Sequence, residues 1–189
     1  MDYPLPYCQS DIFKKLAYYQ VFNYPLNFEE LSKYCFSDNI IKEINELIKL
    51  GLVFKHGEFY SLSPDSKSIE ERIEGNKRSE LYFQKGVKKA KFIAKFPYVR
   101  AVLISGSLSK GYMPEDGDVD YFIITQKNRL WVARTSLILY KKIFLLNSRK
   151  YFCVNYFIDD ENLEIPNQNL FTATEITTLL PIVNKDLYN

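Results

Sequence analysis

The sequence predicts an α+β fold: a helical N-terminal segment closed by a hairpin, then one long helix, then a mixed sheet flanked by helices. Three observations carry this. Apolar residues recur at helical spacing through about the first fifty positions and give way to two short β-type runs around His56-Gly57. A helical pattern then runs from Ile69 to about Phe96, where Pro97 ends it. Beyond it, three strongly apolar runs, Val99–Ser105, Val119–Thr125 and Tyr151–Ile158, are separated by a loop and by a helical stretch. Hydrophobic residues make up 47% and charged residues 25% of 189 positions, the balance of a folded chain with room for one ordinary domain or two small ones.

The elements follow in order. Ile12, Phe13, Leu16, Tyr19 and Val21 place one face of a helix over residues 11–22, with Ser10 as N-cap. Asn23-Tyr24-Pro25 stops it. Asn27 caps a second helix through Tyr34, and Glu30 stands three residues on, where a capping box needs it. Asp38 caps a third helix to Leu50, in which Ile40, Ile41, Ile44, Leu47 and Ile48 form a stripe and Gly51 holds the position after the end. Residues 52–55 and 58–62 flank His56-Gly57 as a hairpin. Three helices and then a hairpin is the order of a winged helix-turn-helix. The long helix from Ile69 has weak points at Gly75 and Gly86. After the strand ending at Ser105, residues 106–116 form a loop with at most one helical turn. A helix spans Arg129–Leu146, and a last helix Phe171–Leu180 precedes Pro181. The expected domains are 1–64, a connecting helix over 65–97, and 98–189.

Other features exclude function classes. Cys8, Cys35 and Cys153 are widely spaced and odd in number, which fits neither a disulfide framework nor a zinc ribbon. A single histidine excludes a multi-histidine metal centre. The N-terminus lacks the basic and apolar regions of a signal peptide, and Arg134, Lys141 and Lys142 interrupt the most apolar stretch, so a cytoplasmic protein without a membrane span is expected. The six cations from Lys85 to Arg100 meet no acid in that stretch; they form a solvated face or a positive wall for triphosphate or RNA. On the third helix Lys42, Glu43, Asn45, Glu46 and Lys49 nearly cancel, and no arginine is present, which favours a protein contact over DNA there.

The chemistry concentrates in Leu103-Ile104-Ser105-Gly106-Ser107-Leu108-Ser109-Lys110-Gly111 and Asp118-Val119-Asp120. Gly106 permits close backbone approach to a phosphate, Ser107 and Ser109 supply hydroxyls, and Lys110 can reach further phosphates. Carboxylates at i and i+2 of a strand share a face, so Asp118 and Asp120 can hold Mg²⁺ (or Mn²⁺) together. Two acids opening an apolar strand are costly to bury without a cation.

A strand, Gly-Ser, ten intervening residues and Asp-hydrophobic-Asp on a second strand resemble the active-site motif of the DNA polymerase β-like nucleotidyltransferase superfamily, over roughly residues 99–158. The wider layout, including residues 129–134 and 153–157, looks similar to bacterial proteins that couple a winged helix to such a domain. The resemblance implies transfer of a nucleoside monophosphate from a nucleoside triphosphate, with pyrophosphate released, to an acceptor that is a small molecule, a protein or an RNA. It also implies catalytic roles for Asp118 and Asp120, and a third carboxylate on a later strand. The matching strand here offers Asn155, whose amide can ligate a metal but cannot accept a proton at neutral pH. Asp159 follows roughly 13 Å further along that strand, and Glu115 and Asp116 are the other acids nearby. Two readings therefore stay open: an active transferase, or a degenerate nucleotide-binding regulator whose winged helix contacts DNA or a protein.

Overall fold

The computed structural model describes residues 10–187, apart from Asp38 and Arg149. The chain divides into two compact units, Met1–Glu74 and Gly75–Asn189. The architecture is mixed α+β, with seven α-helices and two sheets among the described residues.

The first unit begins with α1 (Asp11–Gln20), where the Ser10 hydroxyl accepts from Phe13 N and Ile12, Phe13, Leu16 and Tyr19 turn inward. Strand β1 (Leu26–Asn27) leads into α2 (Phe28–Tyr34). The capping box forms in both directions: Glu30 N donates to Asn27 Oδ1 at 2.8 Å and Asn27 N to Glu30 Oε2 at 3.0 Å. The expected cap Asp38 lies outside the described residues; the cap of α3 (Ile40–Lys49) is Asn39, which accepts from Lys42 N. Of the expected stripe only Ile44 and Leu47 are fully buried, and Ile41 is 60% exposed. Strands β2 (Phe54–His56) and β3 (Phe59–Ser61) form the hairpin, and β1, absent from the sequence reading, pairs antiparallel with β3. Arg72 is buried here: its Nη2 lies 2.6 Å from Glu30 Oε1, and its guanidinium stacks 3.6 Å from the centre of the Tyr24 ring.

Helix α4 (Lys67–Ile93) is unbroken at Gly75 and Gly86. Gly86 is a packing position. A Cβ there would stand 3.2 Å from both Ile104 and Val119 side chains, so the residue that weakens the helix in isolation lets it lie close on the sheet. Its lysines 85, 88 and 91 are exposed, as is Lys95 just beyond its end.

The sheet of the second unit contains β4 (Val99–Ser105), β5 (Asp120–Thr125), β6 (Cys153–Asp159) and β7 (Leu180–Val183), in the order β6-β5-β4-β7. The β4–β5 and β4–β7 pairs are antiparallel and β5–β6 is parallel. Alternation sends Val102, Ile104, Tyr121 and Ile123 to one face, against Tyr82, Ala90 and Ile93 of α4 and Leu137 of α6 (Leu130–Phe144). The opposite face carries Ala101, Leu103, Phe122 and Ile124, with Ile158 and Leu179, in a smaller cluster.

The chain end corrects the sequence reading. Helix α7 covers Leu170–Thr177 with Thr178 as its C-cap, and Leu180, expected to finish the helix, opens β7 instead. Pro181 is accommodated because β7 is an edge strand bonded only to β4. Among the described residues no helix is long and apolar enough to cross a membrane.

Candidate functional site

Strand β4 delivers Ser105 opposite Asp120 of β5, and the chain then turns through Gly106 into the single-turn helix α5 (Gly106–Ser109). Glycine is demanded here twice. Its φ of +68° is a left-handed conformation, and an added Cβ would lie 2.7 Å from Asp120 Oδ2. The turn is fixed from behind: Ser109 Oγ donates to Gly106 O at 2.8 Å and Lys110 Nζ to the same oxygen at 3.1 Å. The loop that follows is tied to α4, with Ser79 Oγ donating to Gly111 O at 3.0 Å, Arg78 to Met113 O at 2.7 Å, and Met113 N to Gly75 O at 3.1 Å. These ties set the path between the Gly-Ser turn and the acidic pair.

Asp118 and Asp120 are both half-buried. Strand β5 starts at Asp120, so Asp118 stands in its lead-in rather than on the strand proper; Val119 nevertheless bonds across to Lys150 and Cys153, which keeps this lead-in extended along β6. Among the described residues no lysine, arginine or histidine is ion-paired with either acid. Burial raises the Asp120 carboxyl above its ordinary value, the charges of Asp118 and Glu175 add to this, and the Cys153 hydrogen bond and Lys110 oppose it. Such a donor set suits a hard divalent cation. Mg²⁺ commonly takes one or two protein carboxylates and completes its shell with water and substrate phosphate oxygens, without a closed protein cage.

The structure separates some expected site residues and brings in others. The register partner of Asp120 on β6 is Cys153, not Asn155. The β5–β6 register shifts between Tyr121 and Phe122, so Asn155 occupies a bulge between Val154 and Tyr156, exposed to solvent. The Cys153 thiol is pushed up to about 12 by burial and by Asp120 and Asp118, and is held as a neutral donor beside the acid. Ser107 sits half-buried on the turn, and among the described residues its hydroxyl has no hydrogen-bond partner. Ser109 is turned back onto the Gly106 carbonyl. Lys110 is only 10% exposed and pairs with Glu175 Oε1 at 2.7 Å. Arg134 is exposed, beside the Trp131 ring. Asp159 is held by Asn162 and Glu161, and Asp160 by Arg100 and Lys127, which engages both acids beyond the end of the strand.

Glu175, on α7, is the residue the sequence reading missed. It shares Lys110 with Gly106 and lies close enough to raise Asp120. It also lines a pocket of about 300 Å³ together with Ser105, Phe122, Asn155, Tyr156 and Asn169. No local pattern marks it: it lies in a short helix far along the chain from Asp120.

The chain matches no protein-family model, no curated protein and no solved structure.

Proposed function

We propose that the second unit is a metal-dependent nucleotidyltransferase that moves a nucleoside monophosphate from a nucleoside triphosphate to an acceptor, with release of pyrophosphate. One observation carries this reading: a left-handed Gly106 seated against the carboxylate of Asp120, at the junction of two antiparallel strands, with Asp118 two residues before it. In this reading Asp118 and Asp120 would hold Mg²⁺ (or Mn²⁺), and burial, with the charges of Asp118 and Glu175, raises the Asp120 carboxyl, a push that a cation would oppose. A cation held there would supply charge neutralisation to the triphosphate and pyrophosphate oxygens. Ser107 donates its hydroxyl to a phosphate oxygen, and Gly106 lets that oxygen approach the backbone. Lys110, anchored next to both, supplies a positive charge within reach of the outer phosphates.

A second reading has its own support. The position opposite Asp120 holds a neutral thiol, so the third carboxylate expected from the resemblance has no counterpart at that register. A unit of this kind binds nucleotide without turning it over. Pyrophosphate release from ATP, GTP, CTP and UTP with Mg²⁺ separates the two. Release that stops in Asp118→Ala supports the transferase; Mg²⁺-dependent binding with no release supports the regulator.

The order α1-β1-α2-α3-β2-β3, with β1-β3-β2 as its sheet, supports a winged-helix reading of the first unit. Helix α3 exposes Lys42, Asn45, Glu46 and Lys49 beside Ile41, while Glu43 turns inward to Ser37. A charge-balanced helix with an exposed isoleucine favours a protein partner over a DNA groove.

A further inference from the structure

The pocket beside Asp120 has a lining that selects a kind of molecule. Among the described residues its only charged wall residue is Glu175, and neither lysine nor arginine lines it. A phosphorylated or otherwise anionic molecule would meet no cation among these wall residues, and the charge of Glu175 is already engaged by Lys110. The remaining polar wall is neutral: the amides of Asn155, Asn167 and Asn169, with the hydroxyls of Ser105, Tyr156 and Thr172. Asn155 and Asn167 have no side-chain hydrogen-bond partner among the described residues, while Asn169 uses its carbonyl to cap α7 by accepting from Thr172 N and keeps its NH₂ to donate. Carboxamides both donate and accept, which matches hydroxyl groups. One wall is flat and apolar: Phe122 and Tyr156 stack at 5.2 Å and 15°, with Tyr156 40% exposed. Amides that bond to hydroxyls, with an aromatic face for C–H contact, are the means of recognising a sugar ring. The volume suits a small molecule of that size.

Position links the pocket to the proposed chemistry. Ser105, at its rim, is the register partner of Asp120, and Glu175 is held by the same lysine that grips the Gly106 carbonyl. We infer that this pocket takes the acceptor of the transferase reading, on which the inference rests: a neutral cyclic polyol, free or as the ribose of a nucleoside, with Glu175 accepting the proton of its attacking hydroxyl. In that step the acceptor oxygen forms a bond to the α-phosphorus and its proton passes to the Glu175 carboxylate. The bond from the α-phosphorus to the bridging oxygen breaks, and the electron pair leaves with pyrophosphate. Lys110 Nζ, 2.7 Å from Glu175 Oε1, fixes where that carboxylate stands. The missing carboxylate opposite Asp120 is in this way replaced from α7, by a residue on the acceptor's side.

Saturation-transfer NMR on the full chain, without metal or nucleotide, tests the pocket. The probes are methyl α-D-glucopyranoside and methyl β-D-ribofuranoside, which separate a free sugar from a nucleoside's ribose. The expected result is transfer to at least one of them, reduced roughly tenfold in Tyr156→Ala and clearly weakened in Asn155→Leu, but retained in Asp118→Ala/Asp120→Ala. No transfer to either glycoside, or transfer that ignores both pocket variants, overturns the assignment. With Mg²⁺ and nucleoside triphosphate, the glycoside that binds is expected to be nucleotidylated. Glu175→Gln is expected to keep glycoside and nucleotide binding yet slow this transfer by about 100-fold or more; a wild-type rate overturns the role of Glu175. Glycoside binding in a protein that binds no nucleoside triphosphate overturns the acceptor role through failure of the transferase reading, and the two failures are thereby told apart.

Discussion

Replacing Gly106 by alanine imposes two strains that can be measured separately. Alanine at a φ of +68° costs about 1 kcal/mol in backbone energy. The new methyl would also lie 2.7 Å from Asp120 Oδ2, well inside the roughly 3.5 Å of ordinary carbon contact. Relief requires the Asp120 side chain to leave its rotamer, at about 1 kcal/mol more. Gly111 provides the control, because its φ is +70° and an added Cβ there meets nothing within 4 Å. Urea unfolding is expected to give about 1 kcal/mol for Gly111→Ala and about 2 kcal/mol for Gly106→Ala. In an Asp120→Ala background the Gly106 cost falls back to about 1 kcal/mol, a coupling of about 1 kcal/mol between the two sites. Mg²⁺-dependent triphosphate binding falls in Gly106→Ala and is unchanged in Gly111→Ala. Equal costs at the two glycines, or a Gly106 cost indifferent to Asp120, would refute the close packing on which the site rests.

Three further outcomes are expected. Arg72→Met leaves Glu30 buried without its cation and destabilises the first unit by about 3 to 5 kcal/mol in denaturant unfolding. Burial raises the Glu30 carboxyl above its unfolded value, with the Asn27 hydrogen bond and Lys33 opposing; the variant is most stable at acid pH and loses stability as pH rises through the raised value. Asp120 follows the same sign. Its raised carboxyl makes the metal-free protein less stable as pH rises above the ordinary carboxylate range, so Asp120→Asn raises the melting temperature and flattens its pH dependence, while triphosphate binding is lost. Cys153, with its thiol near 12, resists iodoacetamide at pH 8, and peptide mapping is expected to show faster alkylation in Asp120→Asn, where the neighbouring charge is gone.

The α+β class and the order of most elements were legible because they depend on local signals. The Ser10 cap, the Asn27–Glu30 box and the Gly51 turn lie within a few residues of what they cap, and β4 has the bounds its apolar run suggests. Features set by strand pairing were not legible. Strand β1 is two residues long and exists only because β3 lies beside it. Strand β7 contains a proline, and only its place at the sheet edge makes that tolerable. The same holds at the site. Gly106, Ser107, Asp118 and Asp120 form a sequence pattern, since a turn and a strand start can be read from spacing. The bulge that moves Asn155 off register, and the Lys110–Glu175 pair that brings α7 to the turn, arise from pairing across the sheet and packing of distant segments.

The most direct test of the central claim is calorimetric binding of ATP, GTP, CTP and UTP with and without Mg²⁺, in the wild type and in Asp118→Ala/Asp120→Ala. At least one triphosphate is expected to bind only with Mg²⁺, and the double variant is expected to lose that binding while remaining folded. Binding that persists unchanged without the two aspartates, or no triphosphate binding by the folded wild type, would contradict the claim.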